Sequence, residues 1–182
     1  MSSPADADVP VEVVRADITE LQVDAVVNAA NSAMRGGGGV DGAIHRAGGP
    51  AVLADCIARF PNGLPTGEAG WTTAGDLPAR WVIHVVGPNW HAGQREPELL
   101  ASCYRNALSV AAELGAASIT FPLVSAGVYG WPLDDAARIA IEEVGDRSPV
   151  PGHGGAVPNR YLVAYSADAE RALLQALDQV DR

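Results

Sequence analysis

The hydrophobic pattern of the chain switches repeatedly between the period of a strand and that of a helix. Val9, Val11 and Val13 alternate with polar neighbours and predict a half-buried first strand, after a tail over residues 1–8 that is expected to be mobile. Residues 15–19 turn the chain toward a second, buried strand over 24–28, where Ala25, Val26 and Val27 run together. Val40, Ile44 and Ala47 then recur at helical spacing. Gly48 and Gly49 stop that helix, and Pro50 opens the next, with Val52, Leu53, Cys56, Ile57 and Phe60 on one face. A turn-rich loop, FPNGLPTGE, leads to short strands over 69–73 and 81–86 around a turn at 75–78. A loop over 87–94 precedes a long helix over about 96–114, with Leu99, Leu100, Cys103, Leu108 and Ala111 suited to packing. SITFPL predicts a strand over 118–123, residues 134–144 a helix ended by Gly145, and 161–165 a last strand. Ser166 is placed to cap a final helix over 167–179. The Pro- and Gly-rich segment 146–159 reads as an irregular surface excursion.

Strands alternating with helices predict a single α/β domain over 9–182, with helices covering both faces of the sheet and no internal repeats. In such folds ligands collect beyond the carboxyl ends of the strands, where both glycine-rich loops of this chain fall. An apolar fraction of 48% with 19% charged residues is that of a soluble globular protein. The 182 residues suffice to bury roughly two-thirds of the surface exposed when unfolded. A net charge of -10 argues against generic binding to the backbone of DNA or RNA. All 12 basic residues are arginine. The lack of lysine removes Schiff-base chemistry and the phosphate-binding lysine of a Walker loop. The N-terminal MSSPADADVP has no positive segment or apolar core of a signal peptide. No stretch approaches the ~20 apolar residues of a membrane helix. Cys56 and Cys103 lie far apart on separate helices and read as buried free thiols. A cytoplasmic monomer without membrane contact is the expectation.

The stretch richest in chemistry is 28–49, NAANSAMRGGGGVDGAIHRAGG, which leaves a strand, crosses four consecutive glycines and enters a helix. Glycine reaches backbone angles closed to other residues and lets a ligand approach the main chain. Successive amides ahead of a helix N-terminus form a concave anion site. The same run also serves as a plain flexible turn, so phosphate binding is one of two readings. SAGVYGWP, over 125–132, is a second flexible loop. Asn31 is a turn former or a ligand group. Asp41 is a first-turn acid complementing the helix dipole or a catalytic carboxylate. His45, one turn after Asp41, is as readily a packed helix histidine as a chemical group. His84 falls inside a strand pattern and reads as core. His91 and His153 lie in loops without zinc-site spacing, and no EF-hand or HExxH pattern occurs, so neither metal nor cofactor is expected. Tyr129 is a packing aromatic or a wall for a sugar. Asp17 follows a strand and reads as a turn cap.

VDAVVNAANSAMRGGGGVDGAIHRAGGP resembles the signature of the macrodomain, in its MacroD-type ADP-ribosylhydrolase branch. The likeness continues in order through ADIT, PTGEA, WVIHVVGP, SCYRNAL and FPLVSAGVYGWP, in register from Val11 to Val144 and loosely from Arg160 onward. It implies a three-layer α/β/α sandwich around a mixed six-stranded sheet that binds ADP-ribose. It also implies an adenine contact from Asp17, with Ile18 beside it, and an aromatic near the adenine at Tyr165. Gly37, Gly38, Gly39 and Val40 match one diphosphate loop; Ser125, Ala126, Gly127, Val128 and Tyr129 match the second. Asn31 and Asp41 match the pair flanking the distal ribose in hydrolytic members, and His45 a nearby histidine. Ala16 stands where the family usually has glycine, and the 146–159 segment is unlike the usual linker.

The implied activity is hydrolysis of mono-ADP-ribose esterified to Asp or Glu of modified proteins, with deacetylation of O-acetyl-ADP-ribose at the same site. The expected partners are ADP-ribose and mono-ADP-ribosylated proteins; ADP-ribosylated nucleic-acid ends stay open. The competing class is a reader module that binds ADP-ribose without cleaving it. A P-loop nucleotide hydrolase is disfavoured by the missing lysine.

Overall fold

The computed structural model describes residues 11–148, Val157 and residues 159–182. Along it run β1 (Glu12–Arg15), β2 (Ala25–Ala30), α1 (Gly39–Gly48), α2 (Pro50–Arg59), β3 (Ala69–Thr73), β4 (Trp81–Val86), α3 (Pro97–Glu113), β5 (Ser118–Phe121), α4 (Leu133–Gly145), β6 (Asn159–Ala164) and α5 (Ala167–Val180). The tail over 1–8, Val9 of the expected first strand and most of the 146–159 excursion lie outside the described residues.

The strands form one sheet in the order β1-β6-β5-β2-β4-β3, with all neighbours parallel except β3 and β4. One face packs on α3, α4 and α5 around Val27, Ile83, Leu100, Ile119, Leu162 and Leu173. The other packs on α1 around Val26, Ile44, Val82 and Val163, and on α2 around Ala30, Met34, Cys56 and Val86. The three-layer sandwich and mixed six-stranded sheet are as expected. No helix among the described residues is long and apolar enough to cross a membrane.

What positions the site is the middle of the sheet. β2 pairs with β4 along its whole length, from Ala25↔Trp81 to Ala30↔Val86. With β5 it pairs at only two positions, Ala25↔Ile119 and Val26↔Thr120. β5 ends at Phe121 and Pro122 follows, a residue without an N–H to extend a ladder. The sheet therefore parts between β2 and β5 at its carboxyl end. Connections also leave β2 and β5 in opposite directions there, the place where α/β sheets open a ligand crevice.

Several boundaries differ from expectation. β2 runs to Ala30, two residues past the expected end, because small Ala29 and Ala30 keep pairing with Val85 and Val86. β6 stops at Ala164, so Tyr165 is not in the strand and is 72% exposed. Ala47 faces solvent, and Gly48 takes the buried place instead. A Cβ at Gly48 would meet Val52 Cγ2 at 2.5 Å and the Ala74 carbonyl at 3.0 Å, so α1 approaches its neighbours through a bare backbone. Ile57 is half exposed, because the short α2 buries only the stripe of Val52 and Cys56. Both cysteines are buried and free, and burial raises the thiols, Cys56 to about 11 and Cys103 to about 12. Ser166 caps α5 as expected, its Oγ accepting from Ala169 N at 3.1 Å.

Candidate active site

A cleft of about 910 Å³ crosses the carboxyl ends of the strands. Its floor comes from β1, β6, β5 and β2 in sheet order, and Gly87 after β4 closes it. Asp17, Ile18 and Tyr165 stand at the β1 end; Asn31, Gly37, Asp41, Gly87 and Tyr129 stand at the β2–β4 end. From β1 to β2 is three strand spacings, about 15 Å. The site is long, with chemically different ends.

Each wall carries a turn with free backbone amides. α1 starts with Gly38 as its cap residue and no side-chain cap, so its first amides have no partner from a capping side chain. The second wall is the loop between β5 and α4, closed on itself by Trp131 N donating to Ser125 O at 2.9 Å and Gly130 N to Gly127 O at 3.0 Å. Buried Tyr104 holds the loop's base by accepting from Val124 N at 3.1 Å. Ser125 sits in the left-handed region at φ 65°, a costly conformation for a residue other than glycine. Its Oγ is buried without a hydrogen-bond partner at the cleft wall. Among the described residues, the amides of Gly127, Val128 and Tyr129 donate to no protein group. Two facing turns thus present N–H groups to one space.

At the β2–β4 end, Asp41 is a nearly buried carboxylate, 4% exposed. Its Oδ1 accepts from Asn28 Nδ2 at 2.7 Å and lies 3.3 Å from His45 Nε2. Its Oδ2 and the Asn31 amide converge on Gly37: a Cβ there would stand 3.2 Å from Asp41 Oδ2 and 3.4 Å from Asn31 Nδ2. Asn31 braces its own turn, donating to Gly36 O at 3.0 Å and accepting from Met34 N at 3.2 Å. One amide proton of Asn31 is left over. The turn is clamped in place by Arg35, which donates to the carbonyls of Ala33, Met34, Phe60 and Pro61.

Beneath Asp41 runs a buried polar chain. Parallel register sets Asn28 beside His84, and Asn28 Nδ2 meets His84 Nδ1 at 3.1 Å. His84 Nε2 meets Thr72 Oγ1 at 2.9 Å, while that hydroxyl donates to Thr73 O at 3.0 Å. Thr72 can therefore only accept, so Nε2 carries the imidazole proton and Nδ1 accepts from Asn28. Burial, with a smaller contribution from His45, pushes His84 down to about 3, so it is neutral at pH 7. Both contacts of Asn28 come from one nitrogen, and its Oδ1 is buried without a partner. Flipping the amide would set that oxygen against the Asp41 carboxylate, which fixes its orientation.

The cleft gathers Asn31, Asp41, Asp17, Ile18, Gly37, Gly38, Gly39, Val40, Ser125, Gly127, Val128, Tyr129 and Tyr165. It does not include His45 or Ala126. His45 packs under Gly36 and touches Asp41 from the helix side, so its place is a brace rather than a group facing a ligand. Ala126 is half buried behind the loop against the core. Asp17 does cap its turn: Oδ1 accepts from the Thr19 hydroxyl at 2.7 Å and from Thr19 N at 2.9 Å, which hold the carboxyl below its ordinary range. It still lines the cleft. Asn28 is not singled out by the sequence, where its one signal is a lone carboxamide within the apolar run AVVNAA.

A central sheet parted at its carboxyl end, with two amide-lined turns over a long cleft, is the architecture of a macrodomain. The chain belongs to that family: the macro domain model matches residues 27–140. It is 60% identical over 138 residues to a macro domain-containing protein of Streptomyces nogalater, covering 74% of this chain and 76% of that one. It is 54% identical over 136 residues to an O-acetyl-ADP-ribose deacetylase of Klebsiella pneumoniae, covering 73% and 78%. Among solved structures, the Trypanosoma brucei macrodomain in complex with ADP-ribose superposes with a TM-score of 0.83 at 43% identity, covering 96% of this chain and 72% of that one. The Oceanobacillus iheyensis macrodomain with ADP superposes with a TM-score of 0.84 at 38% identity, covering 93% and 90%.

Proposed function

We propose that the cleft binds ADP-ribose and that the protein hydrolyses esters of its distal ribose, both mono-ADP-ribose on Asp or Glu side chains and O-acetyl-ADP-ribose. The binding half is supported by the Trypanosoma brucei macrodomain in complex with ADP-ribose and by the Klebsiella deacetylase at 54% identity. In this arrangement adenine lies toward Asp17, Ile18 and Tyr165, the diphosphate between the two amide-lined turns, and the distal ribose beside Asn31 and Asp41.

The observation that carries the catalytic half is the state of Asp41. One carboxylate oxygen is tied to Asn28, while the other is directed with Asn31 toward Gly37 at the cleft. Backbone amides hold the diphosphate equally in ground and transition states, so rate must come from a group that acts on water. Oδ2 accepts a proton from a water held near the ester. The water oxygen bonds to carbon, the carbon–oxygen bond of the ester breaks, and the electron pair leaves on the departing oxygen. For a glutamyl ester of the anomeric carbon, attack at the sugar or acyl carbon gives the same products, ADP-ribose and the free carboxylate. An ordinary carboxylate is a weak base. An ester of the anomeric carbon already has a good leaving group, and holding water and ester in one geometry supplies the rest.

The test is incubation with proteins ADP-ribosylated on defined residue types, followed by mass spectrometry of what leaves. Release from glutamate- and aspartate-linked substrates is expected, with arginine-linked substrate untouched because its leaving group is poorer. Equal release from arginine overturns the ester reading. Binding of ADP-ribose with no turnover of any ester makes the site a reader.

A further inference from the structure

A second pocket of about 260 Å³ adjoins the cleft, lined in part by Ser32, Thr66, Asn89 and Gln94. Gly87 and Tyr129 line both cavities, and Ser32 directly follows Asn31. The pocket therefore belongs to the end of the cleft that carries Asn31 and Asp41. Tyr129 is a fixed partition between the two, its carbonyl accepting from Trp90 N at 2.9 Å and His91 N at 3.4 Å.

The hydrogen bonds of this pocket leave it one-sided. Gln94 Oε1 accepts from Asn89 N at 2.8 Å, and Asn89 Oδ1 accepts from His91 N at 3.1 Å. Thr66 Oγ1 accepts from Gln94 Nε2 at 3.1 Å. Both amide oxygens are thus engaged within the protein. What remains is the Asn89 NH₂, the second N–H of Gln94, and the hydroxyl protons of Thr66 and Ser32. Among the described residues, none of these donates to a protein group. Among the described residues, none that lines the pocket is charged. Neutral donors suit a carbonyl oxygen, or the carboxylate it becomes on hydrolysis. They do not suit a guanidinium, which has only donors of its own. The volume is small for a nucleotide, against the several hundred Å³ of drug-sized sites, and sufficient for an acetyl or a side-chain acyl group.

We propose that this pocket is the acyl subsite, which takes the acyl group carried by the distal ribose and holds its carbonyl oxygen through Asn89, Gln94 and Thr66. The proposal rests on the reading that ADP-ribose occupies the main cleft. It gives a physical cause for ester selectivity beyond the leaving group: an acyl carbonyl finds several uncommitted donors here, whereas an arginine side chain finds neutral groups whose free N–H protons face its own and no carboxylate to pair with.

Binding of probes that resist hydrolysis separates the subsite from the chemistry. Calorimetry is run with ADP-ribose, with ADP-ribose carrying an acetamide on the distal ribose, and with ADP-ribose joined by an amide to a glutamine side chain in a short peptide. Wild type is expected to bind the acetamide probe about tenfold more tightly than ADP-ribose, the effect of one or two hydrogen bonds. The peptide probe gains likewise if the pocket also takes a protein side chain. Asn89→Asp keeps the oxygen that accepts from His91 N and replaces the donor with an acceptor. It is expected to erase the preference while ADP-ribose affinity stays within about twofold. Thr66→Val, which leaves the Asn89 turn intact, is expected to reduce the preference by a few-fold. A wild type that binds the acetamide and peptide probes no better than ADP-ribose overturns the subsite, as does a preference that survives in both variants. Failure of wild type to bind ADP-ribose at all overturns the parent reading instead.

Discussion

Asp41→Ala is expected to reduce ester turnover by about a thousandfold, within the range a lost general base produces, while ADP-ribose affinity stays within about tenfold, or 1.4 kcal/mol. The two effects separate because different parts of the site carry them. The groups proposed to hold the diphosphate are main-chain amides of the α1 start and of the loop after β5, and the substitution leaves both turns in place. Removing a negative charge from the first turn of α1 also relieves repulsion of an anion at that helix end. Affinity should therefore hold steady or rise slightly. The check is calorimetry with ADP-ribose alongside chromatographic assay of O-acetyl-ADP-ribose and a glutamate-modified protein. Turnover that survives the substitution removes Asp41 from the mechanism. Loss of affinity in step with turnover makes it a binding residue.

Asn28→Leu should produce the next largest effect, although Asn28 does not line the cleft. Leucine has the branching and the number of side-chain heavy atoms of asparagine but donates nothing. The Asp41 Oδ1 and the His84 Nδ1 then lose the bonds of 2.7 Å and 3.1 Å and stay buried as acceptors without that partner. The orphaned His84 nitrogen costs about 1–3 kcal/mol of stability, while Asp41 Oδ1 keeps only His45 Nε2 at 3.3 Å. The freed carboxylate rotates, and loss of its aim is expected to lower kcat by about a hundredfold. ADP-ribose affinity should change little, because the cleft walls are untouched. Urea denaturation and steady-state kinetics on one preparation test both halves. An unchanged kcat in a variant that folds and binds ADP-ribose assigns Asn28 to stability alone.

Much of this arrangement is legible in the chain. The alternation of strand and helix periods, the glycine run before a helix and the second loop at SAGVYGWP place both walls at the carboxyl end of the sheet. Less legible is anything that depends on side-chain direction across the sheet. Asn28 reads as the end of a strand, yet it sits in the middle of β2 because Ala29 and Ala30 keep pairing with β4. His84 reads correctly as core, but only the parallel register reveals that it faces Asn28. His45 stands one turn from Asp41 in sequence, a spacing that fixes proximity and leaves open which of the two faces the ligand. Ala47 and Ile57 fit the helical period but lie outside the buried stripes, since α1 makes its close approach through Gly48 and α2 buries only Val52 and Cys56. The donor-lined pocket draws on segments from Ser32 to Tyr129, and no local pattern announces such a convergence.

The most direct measurement is a crystal structure with ADP-ribose bound. Diphosphate oxygens should lie within about 3.2 Å of amide nitrogens from both turns, with the distal ribose over Gly37 and a water between its anomeric carbon and Asp41 Oδ2. Turns that hold no phosphate, or an Asp41 carboxylate directed away from the distal ribose, contradict the account.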